Sequence, residues 1–163
     1  MKILIFLHGT LIMHSSGKGK TRPERVRQSL RREPSVLDYG SYIPIGNAVM
    51  KLRRWERQGA RIFYLSSHEN LAGVGKDKYV LQKFKFPTGG MFYRKEGIGY
   101  AAIVKKILPD ILIEDDCESI GKHEMAITKV RVSVKKKIMP IVVKEFAGID
   151  RLPDDVNNRR SLK

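Results

Sequence analysis

The densest group of reactive side chains in this sequence is Glu114-Asp115-Asp116, which follows directly on the apolar run Ile111-Leu112-Ile113. Adjacent carboxylates repel one another unless a cation or basic partner lies between them, so Asp115 and Asp116 are candidates for a divalent-cation site. The same residues also suit a helix start, with Asp116 capping a turn through Cys117 to Ile120. His8, just past another apolar run, could relay a proton or ligate a metal as neutral imidazole, and could equally be a satisfied structural group. His14 and His68 stand at comparable places, which makes a His/Asp metal site conceivable, although no H-x-x-x-H spacing supports it. Ser66, Ser67 and Lys95 offer hydroxyls and an ammonium to a phosphate, and Arg94 is an equally placed cation.

A different chemistry is suggested by charge. The chain has 32 Lys and Arg against 17 Asp and Glu, a net charge of +15 and a pI near 10.1. Lys18, Lys20, Arg22, Arg25, Arg27, Arg31 and Arg32 crowd into one segment with Glu24 as its sole acid. Lys18, Lys20, Arg22, Arg25, Arg27 and Arg31 are therefore candidates for nucleic-acid contact, through phosphates because no aromatic residue interleaves with them. A solvated surface of a heat-adapted protein accounts for the same composition. His14-Ser15-Ser16-Gly17-Lys18-Gly19-Lys20-Thr21 is also one residue short of a P-loop, needing Gly where His14 stands. With Ile111 to Asp115 as a Walker-B-like strand, that leaves a P-loop-like nucleotide phosphotransferase as an alternative, although Pro23 and the row of like charges disfavour it.

Stepping from side chains to the elements that carry them, Ile3 to Leu7 reads as a strand buried on both faces and ending in the Gly9-Thr10 turn. A helix is expected over 46–58, where Val49, Leu52 and Trp55 share a face and Gly59 terminates. Arg61 to Leu65 is a second buried strand, Asp77 to Phe84 a short helix and Met91 to Tyr93 a short strand. Tyr100, Ile103, Val104, Ile107 and Leu108 follow the amphipathic spacing, and Pro109 stops that helix. Ile111 to Ile113 and Ile141 to Val143 supply two more strands, while Val130, Val132 and Val134 alternate as in a half-exposed one. Residues 154–163 form a polar, frayed tail. Alternating strands and helices specify a three-layer α/β fold with a doubly wound, mostly parallel sheet, and ligands are expected at the carboxyl ends of its strands.

These segments together resemble the haloacid-dehalogenase-like (HAD-like) superfamily. Its first motif is Asp-x-Asp-Gly-Thr, and this chain has Phe6-Leu7-His8-Gly9-Thr10; Ser66-Ser67, Arg94-Lys95 and Glu114-Asp115-Asp116 follow in the family's order. The resemblance implies a Rossmann-like sheet of order 3-2-1-4-5 and phosphate contacts at Thr10, Ser66, Ser67 and Lys95. It also implies magnesium at Asp115 and Asp116, with His8 at the acid/base position. Phe6 stands at the nucleophile's place, so no aspartyl-phosphate can form and one carboxylate for magnesium is missing.

The expectation is one domain over 1–153, in which a basic, Gly-rich mobile insert at about 12–43 replaces the family's flap or cap. It would bind a phosphorylated or anionic small molecule, with or without a divalent cation. One alternative is a noncovalent, metal-dependent phosphoesterase using Asp115, Asp116 and His8; another is a nucleic-acid-binding module using the insert. Any surviving activity would be phosphoric-ester hydrolysis. The lone Cys117 and the shortness of the first apolar run, too brief for a signal peptide or membrane span, lead us to expect a cytoplasmic protein without membrane association.

Overall fold

In the computed structural model, which describes residues 1–95 and 97–158, the first apolar run becomes β1 (Lys2–Phe6). The chain then leaves the sheet through β2 (Ile12–Met13), α1 (Arg22–Leu30), α2 (Pro34–Leu37) and β3 (Ile43–Pro44). It returns by α3 (Ala48–Arg57) to β4 (Arg61–Leu65), α4 (Leu71–Lys83) and β5 (Gly90–Phe92). Next come α5 (Tyr100–Ile107), β6 (Ile111–Asp115), α6 (Val132–Lys135) and β7 (Met139–Val143).

The five long-range strands form one sheet in the order β5-β4-β1-β6-β7, every pair parallel. Counting only the strands of this sheet along the chain, the order is the expected 3-2-1-4-5. β1 lies at the centre because it is apolar on both faces. Ile3, Ile5, Ile62, Tyr64, Ile111 and Ile113 meet Leu52 and Trp55 of α3 and Val80 and Leu81 of α4 on one side. Leu4, Leu65 and Leu112 meet Tyr100, Ile103, Val104 and Ile107 of α5 on the other. Strand alternation thus splits one run of residues between two cores, giving three layers. Pro140 is tolerated in β7 because that strand is at an edge, paired with β6 alone.

Three expectations about elements are corrected. The helix expected over 77–84 starts at Leu71; Gly73 and Gly75 hide its first turns from an apolar-periodicity reading, while Asn70 caps it by accepting from the Gly73 N–H at 2.8 Å. The valines at 130, 132 and 134 do not form a strand. Residues 126–129 are a 3₁₀ turn and α6 follows, because the buried Glu114 carboxylate accepts from the Ala126 and Ile127 amides at 2.6 and 2.9 Å and holds the backbone in a turn. The chain also stays docked beyond Asp154. Val156 is fully buried, Trp55 Nε1 donates to the Pro153 carbonyl at 3.0 Å, and Lys51 pairs with Asp154 at 2.6 Å. Residues 159–163 of the expected tail lie outside the described residues.

Candidate functional site

A cavity of about 190 Å³ opens at the carboxyl ends of β1, β4 and β6, lined among others by Phe6, His8, Ser67, Arg94, Asp115 and Glu145. This is where a doubly wound sheet offers a ligand its crevice. Phe6 closes part of the floor, its ring edge-on to Tyr100 at 5.1 Å. Ser29, Val36, Tyr39 and Tyr42, all from the expected insert, also line the cavity. That insert is ordered: α1 begins with a Thr21–Glu24 capping box and buries Val26 against Met13, Ile45 and Phe146.

His8 is held from both ring nitrogens. Its Nδ1 lies 2.5 Å from Ser67 Oγ and its Nε2 lies 2.8 Å from Asp77 Oδ1. Ser66 Oγ donates to the other Asp77 oxygen at 2.6 Å. His68 stands edge-on to His8 with ring centroids 5.1 Å apart, and its Nε2 is 3.7 Å from Asp77 Oδ1. Burial holds the His68 imidazole below its ordinary value, against the pull of Asp77. His14 is elsewhere, buried against Phe146 with Nε2 3.1 Å from Gln28 Oε1.

The expected phosphate contacts divide. Ser67 lines the cavity, whereas Ser66 and Thr10 are fully buried and spend their hydroxyls on Asp77 and Asp115. Lys95 is exposed, and the cation lining the cavity is Arg94, fixed by Glu69 at 2.9 Å and by stacking on Tyr100 at 4.7 Å.

The two aspartates do not converge. Asp115 accepts from Thr10 Oγ1 at 2.8 Å and from the Cys117 N–H at 2.9 Å, and burial pushes its carboxyl pKa up despite these bonds. Gly9, at φ 79°, makes the approach possible, since a Cβ there would sit 2.8 Å from an Asp115 oxygen. Asp116 bonds Lys144 at 2.9 Å and the Glu145 N–H at 3.0 Å; burial raises its pKa, but those two donors outweigh it and hold the carboxyl below its ordinary value. Lys144 sits on Asp116, Asp115 accepts one hydrogen bond at each oxygen, and Phe6 stands in place of a third carboxylate.

The P-loop reading is corrected as well. The strand before Gly17-Lys18-Gly19 is β2, which pairs antiparallel with β3 outside the main sheet, and Thr21 Oγ1 is engaged with Glu24 at 2.6 Å. Of the insert's cations, Arg25 donates to the Gly17 and Phe146 carbonyls at 3.0 and 3.1 Å and Arg22 pairs with Glu118 at 2.5 Å. Lys18, Lys20, Arg27 and Arg31 are exposed.

Sequence reasoning missed Asp77, Glu145, Tyr39 and Tyr42. Asp77 had a readable signal: it shares the buried face of α4 with Gly73, Val74, Val80 and Leu81, and an acid on an apolar helix face needs a partner. Glu145, buried after β7, accepts from the Ser119 N–H and hydroxyl, both at 2.6 Å, and burial raises its pKa to about 7.

No known family's sequence pattern matches this chain, and no curated protein matches it. Among solved structures, a chain of the Pnkp1/Rnl/Hen1 complex superposes with a TM-score of 0.53 at 18% identity, over 88% of this chain and 46% of that one. A chain of the Pnkp1/Rnl/Hen1 RNA repair complex gives 0.54 at 17% identity, over 88% and 42%. This chain therefore spans less than half the length of those it superposes on. The HAD domain of effector protein Lem4 from Legionella pneumophila gives 0.47 at 15% identity, over 88% and 85%, a likeness too loose to argue from.

Proposed function

From a HAD-like fold with no carboxylate at the attacking position, we propose that this chain binds a phosphate-bearing or other anionic ligand in the cavity and forms no aspartyl-phosphate. The observation that carries this reading is Phe6, packed against Tyr100 on the floor of a cavity that Ser67 and Arg94 line. A phenyl ring cannot attack phosphorus, yet a hydroxyl and a guanidinium remain to hold a phosphate. Burial pushes Asp115 upward and Glu145 to about 7, which lessens the negative charge an anion would meet. Lys144 already neutralises Asp116, and Thr10 and the Cys117 amide bond Asp115, so this reading assigns ligand recognition to Ser67 and Arg94. The RNA repair complex makes a phosphate-terminated RNA one ligand worth including.

Thermal unfolding against increasing inorganic phosphate tests the reading. Stability should rise with the logarithm of concentration, by about 2.7 kcal/mol at a hundredfold excess over Kd. Ser67→Ala and Arg94→Gln should each reduce that gain. A gain undiminished from the parent's in both variants, or a trapped hydroxylamine-sensitive phosphoenzyme, would overturn it. A second reading, polyanion contact through the insert, is supported by the exposure of Lys18, Lys20, Arg27 and Arg31.

A further inference from the structure

His8, His68 and Asp77 each offer a ligand atom within 4.8 Å of the other two, the only such group of three among the described residues. We propose that these residues bind a divalent transition-metal ion of the zinc type, beside the anion cavity and distinct from Asp115 and Asp116. The first support is His68 Nε2, a buried polar atom without a hydrogen-bond partner. It sits 3.7 Å from Asp77 Oδ1, beyond hydrogen-bond reach but suited to an intervening ion. Donor atoms about 2.0–2.1 Å from a tetrahedral zinc lie roughly 3.3 Å apart, so the 2.8 and 3.7 Å separations to Asp77 Oδ1 each need a change of about half an ångström, and all three ligand atoms lie within 4.8 Å of one another.

Each ligand is also steadied from behind. Ser66 Oγ holds Asp77 Oδ2 at 2.6 Å, leaving Oδ1 toward the histidines. Ser67 Oγ holds His8 Nδ1 at 2.5 Å, leaving Nε2 toward Asp77. Such outer hydrogen bonds fix the tautomer and direction of ligating groups. When Nε2 ligates, the imidazole hydrogen resides on Nδ1 and Ser67 Oγ accepts it. Gly73 completes the arrangement: a Cβ there would lie 2.4 Å from the His68 ring, so its absence is what admits the ring. Two imidazoles and one carboxylate favour zinc, cobalt or nickel over magnesium, and three protein ligands leave a coordination position open.

Calorimetric titration of chelator-treated full-length protein tests this independently of phosphate binding. Zinc should bind at one equivalent and magnesium should not compete. His68→Ala and Asp77→Asn should weaken zinc by roughly a hundredfold or more, while His123→Gln, at an exposed histidine, should leave it unchanged. Cobalt should give the visible absorption of a tetrahedral nitrogen and oxygen site, lost in His68→Ala. Absence of zinc binding by the parent protein overturns the proposal. So does undiminished binding by His68→Ala, or, should that variant fail to fold, bound cobalt without tetrahedral bands in the parent.

Discussion

Glu114 and Glu145 are acids that folding has made reluctant to ionise. Burial raises both to about 7 against an ordinary 4.5, with backbone amides pulling Glu114 back and Ser119 doing so for Glu145. A raised folded-state pKa means the native protein binds more protons than the unfolded chain between those two values, so the contribution of these two acids to stability is fully present below pH 4.5 and is lost as pH rises through about 7. The thermal midpoint should decline across that window, other groups aside, and Glu114→Gln and Glu145→Gln should each flatten the decline; equal slopes in parent and variants would contradict it. At this scale the sequence was only partly legible. Acids after an apolar strand announce a special environment, and His8 lay where a resemblance pointed. Nothing local revealed that Asp116 would turn to Lys144 or that Thr10 would serve Asp115, because those partners are brought by strands distant in sequence.

Helix α4 shows why an element can be clear in space and faint in sequence. Its two glycines look alike as text and differ in surroundings: Gly75 has open space where a Cβ would go, whereas at Gly73 that atom would meet His68. Gly75→Ala should stabilise the protein by roughly 0.5–1 kcal/mol, the ordinary gain in a helix interior. Gly73→Ala should destabilise it by about 1–3 kcal/mol, the usual cost of overpacking. Denaturant midpoints of the two variants distinguish these outcomes, and a gain at Gly73 would mean that the His68 ring yields without cost. β1, β4, α3 and α5 were readable because their apolar spacing matches how they are buried. The valines after residue 129 mimicked a strand, but the Glu114 carboxylate, contributed by another element, decided otherwise.

For the molecule as a whole, the +15 net charge is what the proposed polyanion contact would draw on. The structure narrows which cations of the insert can take part, since Arg25 is committed to carbonyls and Arg22 to Glu118. If Lys18, Lys20, Arg27 and Arg31 meet four phosphates of duplex DNA, the log–log salt slope of binding should be about −3.6. Replacing those four with Gln should flatten it equally for all sequences, as filter binding across a salt series would show; identical slopes would assign the charge to general solvation.

The docking of Val156 also bears on how the chain comes to be folded during synthesis. Ile3 and Ile5 share their core with Ile149 and Val156, so β1 waits during synthesis for residues far along the chain. β1 must meanwhile hold apolar faces for β4 and β6, some sixty and one hundred and ten positions later. Long-range parallel pairing of this kind is slow and leaves sticky surface exposed in the interval. A nascent chain shed before residue 156 would leave that core incomplete, with the apolar faces of β1 still seeking cover.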